Sequence, residues 1–333
     1  MFDWKWRLSE IRHDKPVSVF SMFSCGGGSS MGYKRAGFDV IGNVEIDEKI
    51  NSMYVKNLHP RFNFNMDARE FVKKTDLPPE LYNLDILDGS PPCTTFSTAG
   101  KREKSWGVVK TFAEGRQKQR LDDLFFVYLE AVNKLKPKIC VAENVEGLIK
   151  GNARGYVSEI IDTFRNIGYD VQLFVLDSQY MNVPQKRTRV FFIANRMGFK
   201  KLILDFNEKP VTFGECKSPC GKRLKEGSLR LNILKNTTDM KPNISLARKD
   251  GRTGGFNCPI VYDEIVCPTL VSGGCIYRFD RKEYFSDQDI INVSSFPQDY
   301  DFCGNPAKYV CGMSVPPNMM ANIAYKIWQQ WLK

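Results

Sequence analysis

The amino-acid sequence predicts an α/β fold, with a doubly wound, mostly parallel sheet followed by a smaller loop-rich domain. Three observations predict it. Short β-branched and aromatic runs alternate with amphipathic stretches from residue 17 to residue 196. Several of those runs stop at a glycine or proline corner, where a strand ends and a ligand can approach the backbone. The rhythm then breaks after Arg196, where glycines, prolines, lysines and arginines replace any helical period. Strands joined by crossover helices pair in parallel and carry helices on both faces.

The elements follow in order. VSVFSMF (17–23) is a strand ending in Gly26-Gly27-Gly28, and SSMGYKRAG after it is helix-like. FDVIGNVEID (38–47) is a second strand and EKINSMYVKNL (48–58) has helical spacing. LDILDGS (84–90) is a strand stopped by Pro91-Pro92. DDLFFVYLEAVNKLKP (122–137) is an amphipathic helix closed by Pro137, and KICVAENV (138–145) is a buried strand. NARGYVSEIIDTFRNIGY (152–169) is a helix, and DVQLFVLDS (170–178) and RVFFIANR (189–196) are strands. SVPPNMMANIAYKIWQQWLK closes the chain as a Pro-capped helix. The expected division is a large domain over 1–196, completed by the C-terminal helix 305–333, and a small basic domain over 197–304.

The chain has 333 residues, 42% hydrophobic and 26% charged, which is the composition of a soluble globular protein. A net charge of +10 favours a polyanionic partner such as nucleic acid, although a basic cytosolic enzyme of another kind satisfies charge alone. MFDWKWRLSEIRHDKP lacks the apolar core of a signal peptide, and no stretch approaches the roughly 20 apolar residues of a membrane span. A cytoplasmic protein without a membrane partner is therefore expected. The ten cysteines are scattered and read as reduced thiols. Cys216 and Cys220 in CKSPC have a spacing that suits a metal, but no partner pair accompanies them and the chain holds two histidines, His13 and His59. No metal site is expected.

Chemistry-bearing residues cluster at the predicted strand ends. FSCGGGSSMG is a glycine turn between strand and helix. Glu45 ends the second strand, where a carboxylate suits ribose hydroxyls, and Asp67 in NMDAR stands where a third strand should end. The full G-x-G-x-x-G pyrophosphate fingerprint is missing, so S-adenosylmethionine fits this end better than NAD. Cys93 follows Pro91-Pro92, a rigid corner, and Lys101, Arg102 and Lys104 lie downstream. A lone cysteine there reads either as inert and buried or as a thiolate activated by basic neighbours. Glu143, in AENV, would point into the same carboxyl-end crevice, or Asn144 and Glu146 would cap the next helix. Arg187 and Arg189 in QKRTR alternate, so on an extended segment they share one face.

These motifs together resemble the cytosine-5 DNA methyltransferases. FSCGGG, VEID, GSPPCTTFSTAGK, AENV, QKRTR, CPTLVSGG and GMSVPP occur in that family's order over residues 17–328. The resemblance implies a cofactor-binding domain of Rossmann-like methyltransferase type with a small target-recognition domain. It implies Cys93 as nucleophile on carbon 6 of a flipped-out cytosine, Glu143 at N3, Arg189 at O2, and Arg187 in the catalytic group. It places S-adenosyl-L-methionine against Phe23, Gly26, Gly27, Gly28, Glu45, Ile46, Asp67, Pro92, Leu124, Met313 and Val315. Ser97, Lys101 and Arg102 would contact DNA from the loop after the cysteine; Arg252, Thr253 and Asn257, in the glycine-rich GRTGGFN, are candidates for base-edge contacts or belong to a plain surface loop.

Three positions depart from the family pattern. Cys25 replaces a glycine, Thr94 the usual glutamine, and Met313 an asparagine. The resemblance further implies double-stranded DNA as partner, a monomer, a bacterial or phage source, and a cognate restriction endonuclease acting separately. A transfer-RNA cytosine methyltransferase of the same fold and a silent nucleic-acid-binding relative are the other two readings.

Overall fold

A computed structural model describes residues 2–92, 124–150, 154–248 and 254–333. The chain divides into two compact units. One holds Arg12–Leu176, Thr188–Asp205 and Ile323–Lys333; the other holds Met1–Ile11, Asp177–Arg187 and Phe206–Asn322.

The first unit is the predicted doubly wound sheet. Its strands are β1 (Ser18–Met22), β2 (Asp39–Val44), β3 (Phe62–Phe64), β4 (Ile86–Gly89), β5 (Ile139–Val145) and β6 (Asp170–Asp177); after β7 (Gln185–Lys186), which lies in the second unit, comes β8 (Thr188–Asn195). The order is β3-β2-β1-β4-β5-β8-β6. The first five strands pair in parallel, and β8 runs antiparallel to β5. The crossovers are α1 (Gly28–Arg35), α2 (Glu48–Leu58), α3 (Ala68–Lys73), α4 (Leu124–Leu135) and α5 (Arg154–Asn166). Central strands such as VFSM and ICVAE are buried throughout, as strands covered on both faces must be. Phe20 stacks on Phe71 at 5.4 Å and Phe125 meets Phe192 edge-on at 5.1 Å, so aromatic pairs tie α3 to β1 and α4 to β8.

The second unit is built from short pieces. It holds α6 (Phe213–Cys216), α7 (Leu229–Lys235), α8 (Ile244–Ala247), α9 (Asp287–Val293) and α10 (Ala307–Met313). Strands β9 (Ile260–Val261), β11 (Tyr277–Arg278) and β12 (Glu283–Tyr284) form one small sheet, and β10 (Cys267–Pro268) pairs with β7 in another. Leu231, Leu234, Ile244, Ile260 and Tyr277 make its core. α7 exists despite the weak helical period because Ser228 caps it, accepting from the Leu231 amide at 3.4 Å. α11 (Pro317–Ile327) starts in this unit and ends in the other.

The unit boundaries differ from the expected 1–196, 197–304 and 305–333, and the hydrogen bonds explain why. Residues 197–205 stay with the sheet: Phe199 stacks on Trp331 at 5.6 Å, and the Leu202 amide donates to Gln172 Oε1 at 2.8 Å. Residues 1–11 join the other unit. The Trp6 indole donates to the Ser295 carbonyl at 2.9 Å, and Asn318 Nδ2 donates to the carbonyls of Asp3 and Asn182 at 3.0 and 2.9 Å. No helix among the described residues is long and apolar enough to cross a membrane.

Candidate active site

The strand order reverses between β1 and β4, and ligands of open α/β sheets bind beyond the carboxyl ends at such a point. The register brings those ends level: Met22 pairs with Val44 and with Gly89, and Gly89 pairs with Ala142. One residue further on stand Phe23, Glu45, Ser90 and Glu143. Four separate sequence motifs therefore open onto one edge.

The glycine turn after β1 is tightly wound. Phe23, Cys25 and Gly27 have φ of 55°, 45° and 80°, all in the left-handed region. A Cβ on Gly27 would fall 2.4 Å from Leu58 Cδ1, so only glycine fits. Cys25, in place of the family's glycine, keeps the glycine-like backbone. Its amide donates to Glu45 Oε2 at 2.8 Å, while Glu45 Oε1 accepts from the Asp47 amide at 2.9 Å. Burial pushes the Glu45 carboxyl up from its usual range, and those amide bonds pull it back. Ile46 beside it is 40% exposed, an apolar surface at the lip of a polar edge. Asn65, which drew no notice in the sequence, holds this corner by donating to the carbonyls of Glu45 and Ile46 at 2.7 and 3.3 Å.

Asp67 follows β3 as expected and serves as the α3 cap, accepting from the Arg69 amide at 2.8 Å and pairing with its guanidinium at 3.2 Å. Gly26 and Gly28 are buried in the turn and Pro92 is half-buried. Leu124 is a core residue, 3% exposed, packed with Phe125 and Tyr128. The residues present fit an adenosine-bearing cofactor: a carboxylate held by backbone amides, an exposed aliphatic face, and a glycine-rich turn.

Glu143 and Arg189 form an ion pair, Oε1 to Nε at 3.0 Å, with side chains 11% and 13% exposed. The antiparallel register causes it. Arg189 lies opposite Val145 and Glu143 opposite Phe191, which makes the two charged residues diagonal neighbours on one face. Burial draws the Arg189 pKa down, and the Glu143 charge opposes that. Asn144 donates from Nδ2 to the Pro91 carbonyl at 3.2 Å and accepts the Val145 amide at 2.8 Å. It ties AENV to the proline corner, a role beyond the helix cap anticipated for it.

Asp88, on β4 three residues before Pro91, was also missed. It is 1% exposed and accepts from Ser21 Oγ at 2.8 Å and from the Tyr33 hydroxyl at 3.3 Å. Burial, with the Glu143 charge adding, pushes it up to about 7 against both hydrogen bonds. Cys93, Thr94, Ser97, Lys101 and Arg102, and likewise Arg252 and Thr253, lie outside the described residues.

The shared face expected for Arg187 and Arg189 does not form. The chain passes from β7 to β8, strands of different sheets, at Arg187 itself. Arg187 is 3% exposed, and its guanidinium donates to the carbonyls of Leu270, Gly312 and Ser314 at 3.2, 3.1 and 3.1 Å. It thus joins QKRTR, CPTLVSGG and GMSVPP from within. Around it β7 pairs with β10, and the Leu270 amide donates to Gln185 Oε1 at 3.1 Å. Gly312 is needed here, since a Cβ would lie 2.8 Å from the Ser272 amide nitrogen.

Met313 is 47% exposed at the end of α10, and Val315 is buried. Asn257 is exposed, next to Phe256 at 76%. Cys216 is buried, its thiol pushed up to about 12 by burial, whereas Cys220 is exposed; no cluster able to hold a metal occurs among the described residues.

Comparison with known proteins places this architecture. The family model of C-5 cytosine-specific DNA methylases matches residues 17–251. The chain belongs to that family. Among curated members, it is 34% identical over 203 residues to the type II methyltransferase M.HindV of Haemophilus influenzae, covering 59% of this chain and 60% of that one. It is 31% identical over 186 residues to M.NgoPII of Neisseria gonorrhoeae (56% and 49%), and 27% identical over 331 residues to M1.HphI of Haemophilus parahaemolyticus (92% and 86%). The match thus spans about half to three fifths of the length of M.NgoPII and M.HindV.

Among solved structures, a putative DNA modification methyltransferase encoded within an Escherichia coli prophage superposes with a TM-score of 0.70 at 19% identity, covering 95% of this chain and all of that one. The Dnmt2 methyltransferase of S. pombe gives 0.64 at 14%, covering 96% and 100%. At those identities the likeness concerns the fold.

Proposed function

We propose that this chain is a DNA (cytosine-5)-methyltransferase, acting from S-adenosyl-L-methionine on a flipped-out cytosine in a short duplex site. The observation that carries this reading is the level carboxyl edge, where Glu45, the proline corner leading to Cys93, and the Glu143–Arg189 pair all emerge.

Glu45 would hold the ribose hydroxyls, Phe23 and Ile46 the adenine faces, and Asp67 the adenine amino group, with Gly26, Gly27, Gly28, Pro92 and Leu124 completing the sheet unit's share of the site. When bound, S-adenosylmethionine supplies an electrophilic methyl group for carbon 5. The Cys93 thiolate adds to carbon 6 of the cytosine. Arg189 donates to O2, and Glu143 holds a proton at N3, so charge pushed into the ring is met by groups already oriented. Their mutual ion pair fixes both before the base arrives. Loss of the carbon-5 proton then returns electrons to the ring and expels the Cys93 sulfur. Arg187 would act within its own unit, holding the Leu270, Gly312 and Ser314 carbonyls together.

Double-stranded DNA is the proposed partner. Ser97, Lys101 and Arg102 would contact it beside the nucleophile, and Arg252, Thr253 and Asn257 from the second unit, which is the proposed target-recognition module. A monomer of bacterial or phage origin, with a separate cognate endonuclease, completes the reading. Incubation with methyl-labelled S-adenosylmethionine and unmethylated duplex DNA tests it, with transfer RNA in parallel. Label on cytosine carbon 5 of DNA, abolished in Cys93→Ala, is expected. Label on transfer RNA alone, or an unchanged rate in Cys93→Ala, overturns it.

A further inference from the structure

Both histidines of the chain line one cavity of the sheet unit, at the edge opposite the active site. The cavity, about 520 Å³, is bordered by His13, Lys34, Asp39, Leu58, His59 and Arg61. Asp39 opens β2, whereas Glu45 lies just past its other end, roughly 20 Å away at about 3.3 Å per residue. Lys34 stands in the last turn of α1 and His59 caps the carboxyl end of α2, so both helices deliver their final residues to the same amino-terminal edge.

The charges do not balance. Asp39 accepts from Arg61 at 3.2 Å, which leaves Lys34 the uncompensated cation. Its ammonium is only partly exposed and makes no hydrogen bond or ion pair among the described residues; loss of solvent draws its pKa down, with a longer-range attraction from Asp39 as the sole opposing influence. The helix dipole explains a lysine at this position. It does not explain a desolvated one sharing a hollow with a guanidinium and two imidazoles. Donor side chains from three chain segments border the hollow, His13 with Nδ1 already donating to the Phe38 carbonyl at 3.1 Å and Nε2 remaining, and several cationic donors around one hollow suit a phosphate oxyanion.

We propose that this cavity is a second ligand site of the chain, binding a phosphate group through Lys34, Arg61, His13 and His59. The site stands apart from the methyl-transfer reading and does not depend on it. The phosphate belongs either to a free phosphate compound or to a DNA backbone.

Titration calorimetry of the full chain with inorganic phosphate tests the site. Saturable binding is expected, weakened about tenfold or more in Lys34→Gln and in Arg61→Gln, each of which removes a charge-assisted donor. Asp39→Asn releases Arg61 and removes the competing anion, so tighter binding is expected, a gain that damaged folding does not produce. No saturable binding, equal binding in all variants, or weaker binding in Asp39→Asn overturns the proposal. The salt dependence of duplex DNA affinity separates the two sources. A slope reduced by about one in Lys34→Gln assigns the phosphate to DNA, and an unchanged slope assigns it to a free compound.

Discussion

Asn144 on β5 donates to the carbonyl of Pro91, two residues before the proposed nucleophile, across 3.2 Å. One amide side chain thereby couples the strand carrying Glu143 to the corner carrying Cys93. Replacing it with alanine leaves the Pro91 carbonyl and the Val145 amide unpaired. Asn144→Ala is expected to lose about 1–2 kcal/mol of stability in denaturant unfolding. It should also lower the methyl-transfer rate constant about tenfold or more, with DNA affinity held within about twofold, since the corner positions the thiol and does not bind the duplex.

The Glu143–Arg189 pair is asymmetric under mutation. Arg189→Met strands a buried carboxylate and is expected to destabilise by about 3 kcal/mol or more. Glu143→Gln keeps shape and an acceptor, so it should cost about 1 kcal/mol. The double variant should be less unstable than the sum of its parts. Chemical denaturation of all four proteins, closed as a cycle, measures the coupling, and simple additivity would contradict the pairing.

Asp88 makes stability pH-dependent. Its folded pKa of about 7 lies above the usual value, so the folded state retains a proton the unfolded chain has given up. That contribution is complete below about pH 4, fades as pH rises through about 7, and is flat beyond. Asp88→Asn keeps partners for Ser21 and Tyr33 without the charge. Its melting temperature should rise relative to wild type between pH 5 and pH 8, by a free-energy difference on the order of a few kcal/mol.

Arg187 should prove structural in a way lysine cannot replace. Three carbonyls depend on one planar fork. Arg187→Lys and Arg187→Met are both expected to lower stability by about 3 kcal/mol or more, because an ammonium cannot span the three acceptors. Recovery of wild-type melting by lysine would refute this.

Cys25 holds φ of 45° without a glycine. Cys25→Gly should raise stability by about 1 kcal/mol, the strain of a left-handed non-glycine residue less the entropy glycine brings to the unfolded chain. Thermal melting reads this directly, and calorimetry with S-adenosylmethionine shows whether the side chain also tightens the pocket.

The sheet was legible because most of its strands are β-branched or aromatic runs stopped by glycine, proline or a capping acid. Glu45 and Glu143 could be placed at one edge because parallel strands of similar length end together. Arg187 misled for a local reason. QKRTR alternates like one strand, and nothing in five residues reveals that Gln185–Lys186 pairs with Cys267–Pro268, some eighty positions away. Asn144 and Asp88 were obscured in the same manner, since their partners, Pro91 and Ser21, lie far off along the chain. The small unit defeated periodicity because its elements are two to seven residues long.

The interleaving of the two units bears on how the chain acquires its structure. Each draws on segments from near both ends: Trp6 bonds to Ser295 in one, and Phe199 stacks on Trp331 in the other. The sheet unit cannot complete its core until Ile323–Lys333 have been made, nor the other unit until residues up to Asn322 have, so folding is dominated by contacts of large sequence separation and proceeds slowly. A fragment ending at residue 196 would lack Trp328, which meets the buried Phe38 edge-on at 6.4 Å, and aggregation of truncated chains is the expected hazard.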